Sequence, residues 1–109
     1  MRLEKIPFQK INWKRIKPTK LAGERGVSYS KEIMFGKVRI RRVKYSINYF
    51  AGHWCNKGHI IYCTKGRITI NIKNGKQFIL NTGDSCYIGD GIDLHKVSTK
   101  SGGELIIID

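Results

Sequence analysis

His59-Ile60-Ile61-Tyr62-Cys63-Thr64 begins a run that continues through Gly66, Arg67-Ile68-Thr69-Ile70-Asn71-Ile72, Asn74-Gly75 and Lys76-Gln77-Phe78-Ile79-Leu80. The first six residues are rich in β-branched and aromatic side chains, as a strand requires. Gly66 is read as a turn. Ile68, Ile70 and Ile72 then alternate with polar residues, the period of a half-buried strand. Asn-Gly accepts positive φ at both positions and is a strong hairpin signal, so Lys76 to Leu80 is the returning strand.

The same grammar extends in both directions. Thr82-Gly83-Asp84 turns, Ser85 to Ile88 extends, and Gly89-Asp90-Gly91 turns again. His95 to Ser98 and Glu104 to Ile108 supply the last strands, separated by Ser101-Gly102-Gly103. Upstream, strand signals begin at Val27. Between Lys37 and Tyr45, apolar Val38 and Ile40 alternate with basic residues, then Val43 and Tyr45 follow in the other phase. The slip at Arg41-Arg42 is read as a β-bulge. Short strands, glycine-rich turns and no long helix give an all-β sandwich or barrel over residues 27–109. Residues 1–26 are read as an irregular covering segment. It is anchored by Ile6, Phe8, Ile11, Trp13 and Ile16, with a helical turn capped by Asn12.

The chain has 109 residues, one domain's worth, and a net charge of +13. Residues 1–50 carry 14 Lys/Arg against 3 acids, and residues 51–109 carry 7 against 5. No nucleic-acid-binding motif accompanies this excess, so a basic surface is expected rather than a nucleic-acid site. Association with nucleic acid through the basic half stays open as an alternative. No apolar run reaches a membrane span and no signal-peptide core follows Met1, so a cytoplasmic protein is expected. Three cysteines are then expected as thiols, not as a disulfide framework. Exposed strand edges and the apolar N-terminal residues point to a homodimer.

All three histidines of the chain, with one cysteine, fall where a closed barrel gathers them: His53, Cys55 and His59, then His95 two hairpins later. Imidazole and thiolate suit Zn, Cu, Ni and Fe, so these four are candidate metal ligands. If residues 53–55 are extended, His53 and Cys55 share a face. His59, Ile61 and Cys63 share a face in the next strand, which leaves Cys63 as a packing residue or a substitute sulfur ligand. Cys86 is read as packing. Trp54 and Tyr62 alternate away from the ligands, toward the N-terminal segment or a dimer contact. Asp84, Asp90 and Asp93 lie in turns, where the side chain bonds nearby backbone. No catalytic triad, phosphate loop or carboxylate pair stands out.

The pattern His53-x-Cys55-x3-His59-x6-Gly66, followed by Gly83-x5-Gly89-x-Gly91-x3-His95, resembles the two motifs of the cupin superfamily. Cys55 stands where the first motif has its second histidine, His59 where it has glutamate, and Gly89 where the second motif has proline. One extra residue precedes His95. From Ile6-Pro7-Phe8 to Leu105-Ile106-Ile107-Ile108-Asp109 the chain is similar to a narrower group of small bacterial cupins named for an Asp-His-Cys-Trp motif. It carries Gly52 where that group tends to have aspartate. The resemblance implies a double-stranded β-helix, or jelly-roll, barrel with a divalent transition metal held by His53, Cys55, His59 and His95. It implies a small-molecule ligand in the barrel, bound or transformed. A non-catalytic sensor or carrier using the same cavity is the alternative.

Overall fold

The computed structural model describes Leu3 and residues 5–109. The strands are β1 (Thr19–Ala22), β2 (Val27–Phe35), β3 (Val38–Tyr45), β4 (Tyr49–Phe50), β5 (His59–Ile72), β6 (Gln77–Asn81), β7 (Ser85–Ile88), β8 (His95–Thr99) and β9 (Gly103–Ile108). One sheet runs β1-β2-β3-β9-β5-β7 and the other β6-β5-β8-β4, every pairing antiparallel. The fold is the all-β barrel that the turn pattern predicts.

Gly66 does not turn the chain. β5 is continuous for 14 residues and belongs to both sheets. His59, Ile61 and Cys63 point into the barrel, and a register shift between Cys63 and Lys65 switches the parity. Ile68 and Ile70 therefore face the same interior after the strand has crossed over. A bulge bends a strand and resets which residues face inward, and here it lets one strand serve both layers. Gly66, at φ +78°, packs so closely on the Gly102 carbonyl that no Cβ fits. The core gathers on this strand: Ile61, Cys63, Ile68 and Ile70 meet Val43, Leu80, Leu105 and Ile107. Cys63 is fully buried, with its thiol 3.4 Å from the Lys65 carbonyl, and it is a packing residue.

The bulge expected at Arg41-Arg42 is absent. β3 pairs in unbroken register with β2 from Phe35↔Val38 to Ser28↔Tyr45, and with β9 from Ile40 to Tyr45. The phase slip in the sequence has another cause. Arg39, Arg41, Val43 and Tyr45 form one face, toward the interior, and Val38, Ile40, Arg42 and Lys44 form the other. Two arginines point inward because a carboxylate, Asp109, waits there. Val38 and Ile40, apolar on the outer face, line a shared apolar cavity with Leu3, Ile6 and Pro7.

Among the described residues before β1 the chain is irregular apart from one 3-10 turn at Trp13–Arg15. Asn12 caps it, its side-chain oxygen accepting from the Lys14 N–H at 3.2 Å. Arg42 lies over the Trp13 ring and Lys31 donates to the Trp13 carbonyl. Phe8, in contrast, stands in solvent. Among the described residues no helix is long and apolar enough to cross a membrane.

Replacing Gly66 with alanine adds a steric overlap to an unfavourable positive φ. A loss of about 3 kcal/mol or more is expected in chemical denaturation. Gly75 also has positive φ but open space around it, so Gly75→Ala costs about 1 kcal/mol. Equal losses at the two positions would contradict the crossing role given to Gly66.

Candidate metal centre

The site lies at one end of the barrel, where inner faces of both sheets meet. His59 opens β5, His95 opens β8, and Cys55 sits in the connection that precedes β5. Cys55 and His95 face each other across a two-residue antiparallel bridge. The Cys55 N–H donates to the His95 carbonyl at 2.9 Å, and the His95 N–H donates back to the Cys55 carbonyl at 3.0 Å. A second tether holds the same connection, since the Gly58 N–H donates to the Asp90 carboxylate at 2.6 Å. Asp90 thus bonds backbone 32 residues away, not that of its own turn as the sequence suggested. Asp84 does play the expected turn role, accepting from the Asn81 N–H.

The donor atoms of Cys55, His59 and His95 all lie within 4.8 Å of one another. Each ring is oriented by its Nδ1. His59 Nδ1 is 2.8 Å from the Asp109 carboxylate, and His95 Nδ1 is 2.9 Å from the Asp93 carbonyl oxygen. Both partners only accept, so each Nδ1 carries the proton and donates. In a neutral ring held this way the lone pair is on Nε2. His95 Nε2 is buried and has no hydrogen-bond partner among the described residues. His59 Nε2 is 3.4 Å from the Cys55 sulfur. Ion–sulfur and ion–nitrogen bonds of ordinary length at a tetrahedral angle put those two atoms about 3.6 Å apart. The rings stand edge to face, 5.2 Å between centroids. Two fixed imidazoles with inward lone pairs beside a thiol are what a soft or borderline divalent ion requires.

Burial lowers the His59 pKa, opposed by the Asp109 carboxylate and reinforced by the nearby Arg41 charge, so the ring keeps its lone pair. For Asp109, burial pushes the pKa up, but the Arg39 hydrogen bonds and the charges of Arg39, Arg41 and Lys57 prevail. They bring it from an ordinary 3.8 to about 2. Arg39 meets this carboxylate with two hydrogen bonds, at 2.9 and 2.8 Å.

His53 is placed differently from the other three. Residues 52–53 form an exposed bend rather than an extended segment, so the parity argument that paired His53 with Cys55 does not hold. His53 lies on the rim of the cavity that Cys55, His59 and His95 line, outside their converging group. Cys63 does not belong to that group either, which removes it as the substitute sulfur ligand. Trp54 packs beneath Lys96, whose ammonium lies 4.7 Å from the ring centre. Asp109 escaped the sequence reading. A lone aspartate ending an apolar strand carries no motif, and only strand pairing brings it to Arg39 and His59.

No family model matches the sequence. No curated protein matches it either. The structure does match solved ones. A predicted oxalate decarboxylase from Thermotoga maritima is 18% identical with TM-score 0.78, over 92% of this chain and 96% of that one. An RmlC-like cupin from Shewanella frigidimarina is 16% identical with TM-score 0.73, over 96% and 88%. An ectoine synthase from P. lautus is 14% identical with TM-score 0.76, over 93% and 76%.

The Asp109 assignment has a pH signature. A depressed native pKa contributes stability that is present above the unfolded value near 4 and is lost as pH falls toward 2. The wild type should lose about 2 kcal/mol across that window in denaturant titrations. Asp109→Asn should be less stable at pH 7 and lack that part of the slope. An unchanged slope in the variant would reject the ion-pair account.

With two layered sheets, a strand shared between them and a His/Cys cluster at one end of the barrel, the chain has the cupin fold.

Proposed function

We infer that Cys55, His59 and His95 hold a divalent transition metal ion and that the cavity beside it binds a small molecule. The single observation that carries this reading is the pair of buried imidazoles, each with Nδ1 engaged by an acceptor, one Nε2 lying 3.4 Å from the Cys55 sulfur and the other buried without a partner among the described residues. A core histidine retained only for packing has no need of an unpartnered buried nitrogen.

The donor set favours Zn, Ni, Cu or Fe(II) over Mn, because thiolate replaces the carboxylate that harder ions prefer. With three protein donors, the remaining position opens on the cavity of about 180 Å³, where His53 or a bound molecule can reach it. When bound, such an ion polarises an oxygen of its ligand. Asp109 and the Asp93 carbonyl fix the rings, and Arg41 disfavours protonation of His59. Outside the donor group His53 is the one imidazole among the lining residues, and it is exposed, so binding without turnover fits the site as well as catalysis does. In keeping with the sequence pattern, we read the protein as a small cupin of the Asp-His-Cys-Trp group, working in the cytoplasm. Ile60, Tyr62 and Tyr87 leave an apolar area on the outer sheet face, which favours a homodimer.

Titration with Co(II) tests the site. One equivalent should bind, with a sulfur-to-cobalt charge-transfer band that disappears in Cys55→Ser. His95→Ala should weaken binding at least tenfold. Less than about a tenth of an equivalent of Co, Zn, Ni or Fe, with no thermal stabilisation, would refute the assignment. If a metabolite that perturbs the cobalt spectrum is recovered unchanged, the protein is a binding module; a converted one makes it an enzyme. Light scattering at high concentration should give twice the monomer mass, and a monomer would exclude the dimer.

A further inference from the structure

The charges around Asp109 do not balance. Arg39 takes both of its oxygens, and His59 Nδ1 takes one of them again. Lys57 approaches the same carboxylate at 3.7 Å. Glu32, which faces Arg41 across the β2–β3 pair, lies instead 3.8 Å from the Arg39 Nε. Arg41 is left with a 3.5 Å contact from one terminal nitrogen to an oxygen that is already shared. Its Nε is buried and has no acceptor among the described residues. The Arg41 side chain is only 22% exposed, and it lines the cavity that holds Cys55, His59 and His95. Lys96, which lines the same cavity from the other sheet, lies over the faces of Phe50 and Trp54.

A buried guanidinium that only shares its counter-charge is costly, and one that lines a cavity with donors left over is a recognition element. We propose that Arg41 is the anchor for a small carboxylate ligand, which enters the cavity beside Cys55, His59 and His95. The guanidinium is planar, and its N–H groups match the two oxygens of a carboxylate. The cavity, about 180 Å³, suits a compact molecule and excludes a polymer. This inference rests on reading the cavity as a small-molecule site. The anion contact itself needs no metal.

The test uses the full-length, ¹⁵N-labelled protein after chelator treatment. The Arg41 Nε–H resonance is identified by its absence in Arg41→Lys. Sodium acetate and sodium malonate should move it in a saturable way, at ionic strength matched with sodium chloride. Acetamide, the neutral counterpart of acetate, should leave it in place. Arg41→Lys keeps the charge and loses the fork, and should bind malonate at least tenfold more weakly, read from the backbone amides of Val97 and Ile107. If that variant does not fold, the wild-type titrations decide alone. An unmoved Nε–H, an equal response to acetamide, or undiminished binding in Arg41→Lys would overturn the proposal. A response to inorganic phosphate but to neither carboxylate would overturn the ligand class. Co(II) binding by the same preparation separates the two readings. Cobalt bound without a carboxylate response rejects this inference alone, and a carboxylate response without cobalt binding rejects only the metal.

Discussion

The Asp109 carboxylate is the point on which the interior electrostatics turn. Its side chain is 2% exposed, yet it meets three cations and the Nδ1 of His59. Burying an ion pair gains little stability over an apolar replacement, because desolvation consumes most of the attraction. What the pair supplies is orientation. Arg39 on β3 fixes the carboxylate through two parallel hydrogen bonds, and the carboxylate fixes one ring nitrogen of His59 on β5. The backbones of Arg39 and Asp109 also pair, in both directions, at 2.6 and 2.9 Å. The ends of β3 and β9 are thus locked to the first candidate ligand of the strand that the two sheets share.

That shared strand explains why the candidate donors can converge at all. His59 belongs to the layer of β9 and β7, and His95 to the layer of β4 and the far half of β5. The bulge after Cys63 keeps the interior face apolar on both sides of the crossing, so the two layers close over a continuous core. Packing and site geometry therefore depend on one local irregularity of the backbone.

Much of this was legible in the sequence. Period-two alternation and the glycine turns located most of the strands, because a half-buried sheet imposes that pattern on any chain. Clustering of the histidines located the pocket, because Cys55, His59 and His95 open or precede strands that meet at one end. Three features were hidden. Gly66 reads as a turn since glycine with positive φ serves turns and bulges alike. The run Lys37 to Tyr45 reads as out of phase, because inward-facing arginines imitate a solvent face unless their counter-ion is known. His53 reads as a partner of Cys55 only if the backbone between them is extended, and nothing local dictates that it bends. Asp109 is the common reason for the second failure and for its own omission. Its partners are 50 and 70 residues away along the chain.

The reciprocal backbone bridge between Cys55 and His95 separates this site from those of small metal-dependent folds. Main-chain bonds, not side-chain ligands, set the spacing of these two residues, and a full hydrophobic core lies behind them. In a zinc finger the ion does the work of assembling the chain. Here the chain is assembled beforehand. Were an ion held there, its withdrawal would leave the barrel standing and the pocket in shape, and its loading would not have to wait on folding.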